Sequence, residues 1–375
     1  MKNLRNLVGA CLSAALLGAC NSTSGTVPSP PPTSKLSLAY VTNIAAKSVS
    51  AYTVSATSGA LTAAGSFRTG ANPWGVAVAG KFAYVANGLG TNQYGHSPNT
   101  VSAYRINATS GSLTQVTGSP FKVAGRGAAD MTVDPTGKFA YVVNIYSDSI
   151  AAFTINSTSG ALTPVAGSPF ATGGEPESLA IDPTGTFLYV PNTLTDNVSA
   201  FTVNTTTGAL TTVAGSPFRA GKTPAGAAVD STGAFLYVTN ANSNSVSAYA
   251  INTSTGALKR VAGSPFKSAT PSRVATDPMG AFVYVSNNGS NTVSAFTINP
   301  SSGALTPVAG SPFGTGTGPE SIAIDSEGKF AYVTNAGSNN VSAYTINATN
   351  GALTQVAGSP FAAGTTPVSI VVTGP

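Results

Sequence analysis

From Lys35 onward the chain is a succession of short apolar runs, each closed off by Gly, Asn, Asp, Pro or Ser/Thr clusters. The clearest stretch runs from Glu177 to Phe218 and holds four such runs, a to d: residues 178–182, 187–190, 198–203 and 210–214. Short β-branched and aromatic runs bounded by turn residues predict strands. Between a and b lies Asp-Pro-Thr-Gly at 182–185, with relatives at Asp134, Asp230, Asp277 and Asp325. Asp bonds its own backbone, Pro presets φ and Gly accepts positive φ, so this segment predicts a hairpin turn. A recurring Gly between c and d predicts a second one.

The same pattern is spoken seven times. A Tyr in run b recurs at 40, 84, 141, 189, 237, 284 and 332, and the Gly before run d at 59, 111, 160, 208, 256, 303 and 351. A period of about 48 residues, with four antiparallel strands per unit, predicts an all-β, seven-bladed β-propeller over 35–375. Apolar residues occupy both faces of the strands, as sheets packed between two neighbours require. Run d is expected to be the outer edge. It is expected to end in Ser-Pro-Phe, whose proline denies a donor to an incoming strand. The first unit begins at run b (38–43) and the chain ends in a solitary run a (367–372). A ring closed by the C-terminal strand, pairing into the N-terminal blade, accounts for both.

Composition changes this picture little. Only 8% of residues are charged, the net charge is +5, and without Lys2 and Arg5 it falls to +3. No basic stripe alternates with aromatics, so nucleic acid is not an expected partner. Residues 1–19 join a short basic start to an apolar run too short to span a bilayer, the pattern of a cleaved export signal. That signal ends in Leu17-Gly18-Ala19-Cys20, which resembles the lipobox of bacterial lipoproteins. The resemblance implies lipidation of Cys20 and a place in the cell envelope, with the membrane touched only through the lipid; an ordinary signal with an incidental Cys is the alternative. Cys11 would leave with the signal, so no intrachain disulfide is expected. Residues 20–34, rich in Pro, Ser and Thr, read as a solvated tether.

The Tyr-Val-Thr-Asn runs at 40–43, 237–240 and 332–335, with Asp-Ser-Thr-Gly at 230–233 and Asp-Ser-Glu-Gly at 325–328, relatives of Asp-Pro-x-Gly, upstream of the later two, are similar to the Tyr-Val-Thr-Asn propeller repeats. They also resemble the seven-bladed lactonase family of propeller-type 6-phosphogluconolactonases and carboxymuconate-lactonising enzymes. That family commonly places a His just after the Pro that opens run a. The matching positions here are Trp74, Ala129, Glu177, Ala225, Ser272, Glu320 and Val368, and none is His.

Function is expected where the units differ, on the face shared by the d–a and b–c loops. Asp130, Glu175, Glu177 and Glu320 all lie at the start of run a, the channel-lining run, and Arg126, Lys222 and Arg273 lie in or beside the same segments. The b–c loop at 88–98 is longer than its counterparts and carries His96, the single histidine, and Tyr94. Two readings stand. In one, an envelope propeller binds a polar ligand, glycan or envelope protein through Arg273, Asp130, Trp74 and Lys222. In the other, a lactone hydrolase uses Glu177, Glu320 or His96 to activate water while Arg273 holds a substrate anion. No metal or cofactor motif is present, so neither is expected, and the chain is expected to act as a monomer.

Overall fold

The computed structural model describes residues 36–88 and 99–374. Their strands form seven antiparallel sheets, each ordered d–c–b–a from one edge to the other: the propeller of seven blades. Blade 5 is typical, with a Pro224–Val229, b Phe235–Asn240 and c Ser245–Ile251. Strand b is buried along its whole length in six blades and at all but Ser37 in blade 1, because it lies mid-sheet with a neighbouring blade on each face.

The ring closes as the order of the runs requires. Pro367–Val372 is strand a of blade 1 and pairs antiparallel with Ser37–Asn43, its strand b, from Ala39↔Val372 to Asn43↔Pro367. A second closure lies further out. Each run-b Tyr is fully buried and donates its hydroxyl to the c–d turn Gly carbonyl of the next blade. Tyr189 bonds Gly256 O at 3.0 Å, and Tyr332 of blade 7 bonds Gly59 O of blade 1 at 2.9 Å. Burial pushes these phenols well above their ordinary pKa, so they remain neutral donors. The expected Asx turn also forms: Asp182 Oδ1 accepts the Thr186 and Phe187 amides at 2.7 and 2.6 Å.

Two expectations need correction. Ser-Pro-Phe does not end strand d; it sits inside it. In six blades strand d breaks into halves, such as Leu210–Thr212 and Phe218–Arg219, both paired to strand c. At the break the Ser hydroxyl takes over the ladder: Ala200 N donates to Ser216 Oγ at 2.9 Å, and Ala248 N to Ser264 Oγ at 2.9 Å. Blade 1 is two residues shorter here and has no proline, so its strand d runs unbroken over Leu61–Arg68 with a bulge near Gly65. Run a of blade 4 is likewise shorter than 178–182. Only Ala180–Ile181 is strand, with an isolated bridge at Pro176↔Asn192. Its partner strand carries Pro191, which has no backbone N–H to give the ladder.

Candidate functional site

Strand a of most blades opens with Pro and then bulges before regular pairing resumes, for example between Pro271 and Val274. The third residue of the strand sits in that bulge. In blades 5 to 7 its amide is held by the Thr or Ser of the Tyr-Val-Thr-Asn run: Gly226 N on Thr239 Oγ1 (2.7 Å), Arg273 N on Ser286 Oγ (3.1 Å) and Ser321 N on Thr334 Oγ1 (3.0 Å). Around the ring the third position reads Gly75, Asp130, Ser178, Gly226, Arg273, Ser321 and Ser369. Two of these are charged, and each follows a blade whose third residue is Gly. A Cβ on Gly75 would stand 2.8 Å from the Asp130 Cα, and one on Gly226 2.9 Å from the Arg273 Cα. The small residue lets the neighbouring strand approach and bring its charge to the channel.

Five of these positions help wall a cavity of about 170 Å³, lined by Trp74, Asp130, Ser178, Arg273, Ser321, Val368 and Ser369, with Val76, Leu179, Ala227, Val274, Ile322, Ile370 and Val371. Its rim holds the two glutamates. Arg273 Nη1 donates to Glu177 Oε1 at 3.1 Å and to the Ala225 carbonyl at 3.2 Å. The pair is sheltered, with 14% and 24% of the side chains exposed. Glu177 Oε2 also accepts from Thr193 Oγ1 at 3.1 Å. Glu320 accepts from Ser272 Oγ at 3.1 Å and from Asn288 Nδ2 at 2.7 Å. Thr193 and Asn288 both belong to b–c loops, so the loops of the varied face orient the carboxylates.

Electrostatics follow from this shelter. Burial pushes Glu320 up from its ordinary value, and Arg273 opposes without cancelling the rise. Asp130 is pushed up for the same first reason, with Arg273 and the Met131 amide opposing. Burial alone would lower Arg273, but Glu177, Asp130 and Glu320 together outweigh it and hold the guanidinium above its ordinary value.

Asp130, Glu177, Arg273 and Glu320 are therefore brought together. Trp74 lines the same cavity, packs against the core cluster that holds Ala129 and Leu179, and accepts Thr42 Oγ1 on its carbonyl at 2.5 Å. Lys222 is not brought in: it lies 2.6 Å from Asp196 with 75% of its side chain exposed. His96 and Cys20 lie outside the described residues. The hydroxyls of Ser178, Ser321 and Ser369 were not singled out in sequence. Their signal was the third position after the opening Pro, visible once the seven copies are stacked. Among the described residues, no three His, Cys, Asp or Glu side chains gather as a metal site would require.

Fold and site together define a seven-bladed propeller with a charged cavity lined by its strands a. The sequence model of the family "Lactonase, 7-bladed beta-propeller" matches residues 99–223, 217–275 and 262–372, so the chain belongs to that family. Solved structures share the fold. A putative 6-phosphogluconolactonase from Bacteroides fragilis superposes with a TM-score of 0.79 at 22% identity, over 92% of this chain and 99% of that one. One from Bacteroides uniformis gives 0.78 at 17%, over 90% and 99%. A periplasmic gluconolactonase from Pseudomonas aeruginosa gives 0.76 at 20%, also over 90% and 99%. Among curated proteins, none matches the sequence.

Proposed function

We propose that the chain is a lactone hydrolase whose reaction takes place at the channel mouth. The observation that carries this is the placement of Arg273 in the cavity wall beside carboxylates of unequal character. Nη1 donates to Glu177 and to the Ala225 carbonyl, while Arg273 lines the cavity and carries further N–H donors on Nε and Nη2. Those donors polarise the ester carbonyl and stabilise the oxyanion of the tetrahedral intermediate. Glu320, raised by burial, takes a proton from water as general base. The water oxygen bonds the carbonyl carbon, the ring C–O bond breaks, and the proton held by Glu320 goes to the departing alkoxide. Glu177 is a positioning residue: it fixes Arg273 and is itself fixed by Thr193. Membership of the lactonase family supports the same reaction class.

The binding-only reading keeps one specific support: Glu177 and Glu320 occupy the second strand-a position, where the family commonly carries His. Steady-state hydrolysis of a lactone panel by the purified full chain separates the two. We expect turnover above the spontaneous rate, and a kcat about 10²–10⁴-fold lower in Glu320→Gln with an unchanged circular dichroism spectrum. A folded wild-type protein without turnover leaves a binding propeller.

The export signal and Cys20 extend the proposal to the cell envelope, with the propeller carried on a lipid through residues 20–34. The mass of the N-terminal peptide from membrane-extracted protein decides it: an unmodified Cys20 removes the anchor.

A further inference from the structure

We infer that the channel mouth selects an uncharged, hydroxyl-bearing ligand and turns away phosphorylated or carboxylated ones. This rests on the mouth being the ligand site, and it names the class of substrate.

Charge counting carries the argument. Among the described residues, the cavity wall and rim hold one cation, Arg273, and three carboxyls: Asp130, Glu177 and Glu320. The nearest carboxylate, Glu177, already meets the guanidinium at 3.1 Å. With all carboxyls ionised the group carries a net negative charge. With Asp130 and Glu320 both protonated it reaches zero. The 3.1 Å contact with the Glu177 carboxylate spends the one positive charge, so no protonation state of Asp130 or Glu320 leaves a positive surplus. A phosphate or carboxylate entering this low-dielectric site would meet no unspent cation, and burying an unpaired anion there is costly.

Among the described residues, other common sources of anion affinity are also missing around this cavity. Anions are commonly held by helix N-termini, and every named element among the described residues is a strand. Lys222 is spent on Asp196 at the surface, and Arg126 is exposed and donates to the Tyr146 carbonyl at 3.4 Å.

What the wall does offer suits a neutral polyol ring. Ser321 and Ser369 each present a hydroxyl that can donate or accept, and the Ser178 hydroxyl, which bonds Asp130, can accept. Trp74 and Val368 supply an apolar flank. The volume of about 170 Å³ falls below the roughly 300–1,000 Å³ of drug-sized sites, which limits the occupant to about one sugar ring. Arg273 then serves as a donor to a neutral carbonyl oxygen and not as an anion clamp.

The test compares two substrates that differ only in the charged group, glucono-δ-lactone and its 6-phosphate ester, with the full chain and with Asp130→Asn. We expect kcat/KM for the neutral lactone to be at least about 100-fold higher in the wild type. We expect Asp130→Asn to narrow that ratio by about 10-fold, since it removes one carboxylate facing the phosphate. Equal rates for the two lactones, or a preference for the phosphate, overturn the charge inference while leaving the site reading intact. If calorimetry and kinetics show neither lactone bound nor hydrolysed, the site reading falls and the inference with it.

Discussion

The turn face and the channel mouth of this ring are built from the same seven copies in opposite ways. On the turn face every blade does the same thing. A Tyr hydroxyl reaches the next blade's Gly carbonyl at 2.9–3.1 Å, from Tyr40 on Gly111 to Tyr332 on Gly59. At the mouth no such uniformity holds: the third residue of strand a is Gly, Asp, Ser, Gly, Arg, Ser or Ser. A wedge can be stacked only if each copy presents the same complementary surfaces to its neighbours, so the turn face is constrained seven times over. The channel interior faces a cavity, where a side chain can change without breaking a wedge contact, so that is where charge has been placed.

Breaking the ring should produce the largest effect. Deleting residues 366–375 removes strand a of blade 1 and exposes the inner edge of Ser37–Asn43, leaving the Tyr332–Gly59 and Tyr52–Ala362 hydrogen bonds and the apolar packing of blade 7 on blade 1 to link the ends. We expect loss of cooperative melting, an effect comparable with the whole roughly 5–15 kcal/mol stability of a domain. A truncated chain that still melts in one sharp transition near the parent temperature would show that closure is dispensable.

A single glycine should separate backbone strain from wedge packing. Gly256 has φ +75°, and a Cβ there would stand 2.4 Å from a Phe187 ring carbon of the preceding blade. Gly80, in the shortened a–b turn of blade 2, has φ +53° and open space around its missing Cβ. Gly80→Ala should cost about 1–2 kcal/mol, the left-handed penalty alone. Gly256→Ala adds overpacking and should cost about 2–5 kcal/mol. Chemical denaturation measures both, and equal losses would mean that the Phe–Gly contact contributes nothing.

These contrasts also explain how far the sequence could be read. The Tyr and Gly series counted the blades, and the out-of-phase ends gave the closure. That the two series touch each other was hidden, because the partners lie 66–76 residues apart, or 273 at the closure. Ser-Pro-Phe was misplaced for a related reason. Its proline reads as an edge signal, while its working atom is the Ser216-type hydroxyl bonded to strand c. At the mouth, Asp130, Glu177, Arg273 and Glu320 stood out because charges are scarce. Ser178, Ser321 and Ser369 did not, because serine is common everywhere in this chain. Lys222 shared a segment type with the site, but its loop points it toward Asp196 on the surface.

The smallest effect concerns the cost of placing charge where the fold does not need it. Burial raises the folded-state pKa of Asp130 above its unfolded value, so the folded chain binds that proton more tightly than the unfolded chain. The sign follows from linkage: below the ordinary carboxylate range the group costs nothing, and stability falls as pH rises from that range through the raised value. Asp130→Asn removes this titration and leaves Arg273 its partner Glu177. We therefore expect the variant to gain on the parent as pH climbs from 3 to 7, with the two converging at the acid end. The gain should be smaller than the loss in Gly256→Ala, since the Arg273 field and the Met131 amide already offset part of the penalty. A parent more stable than the variant at pH 7 would mean that the Asp130 charge holds the ring together, and the division between a structural turn face and a chemically free mouth would fail at that residue.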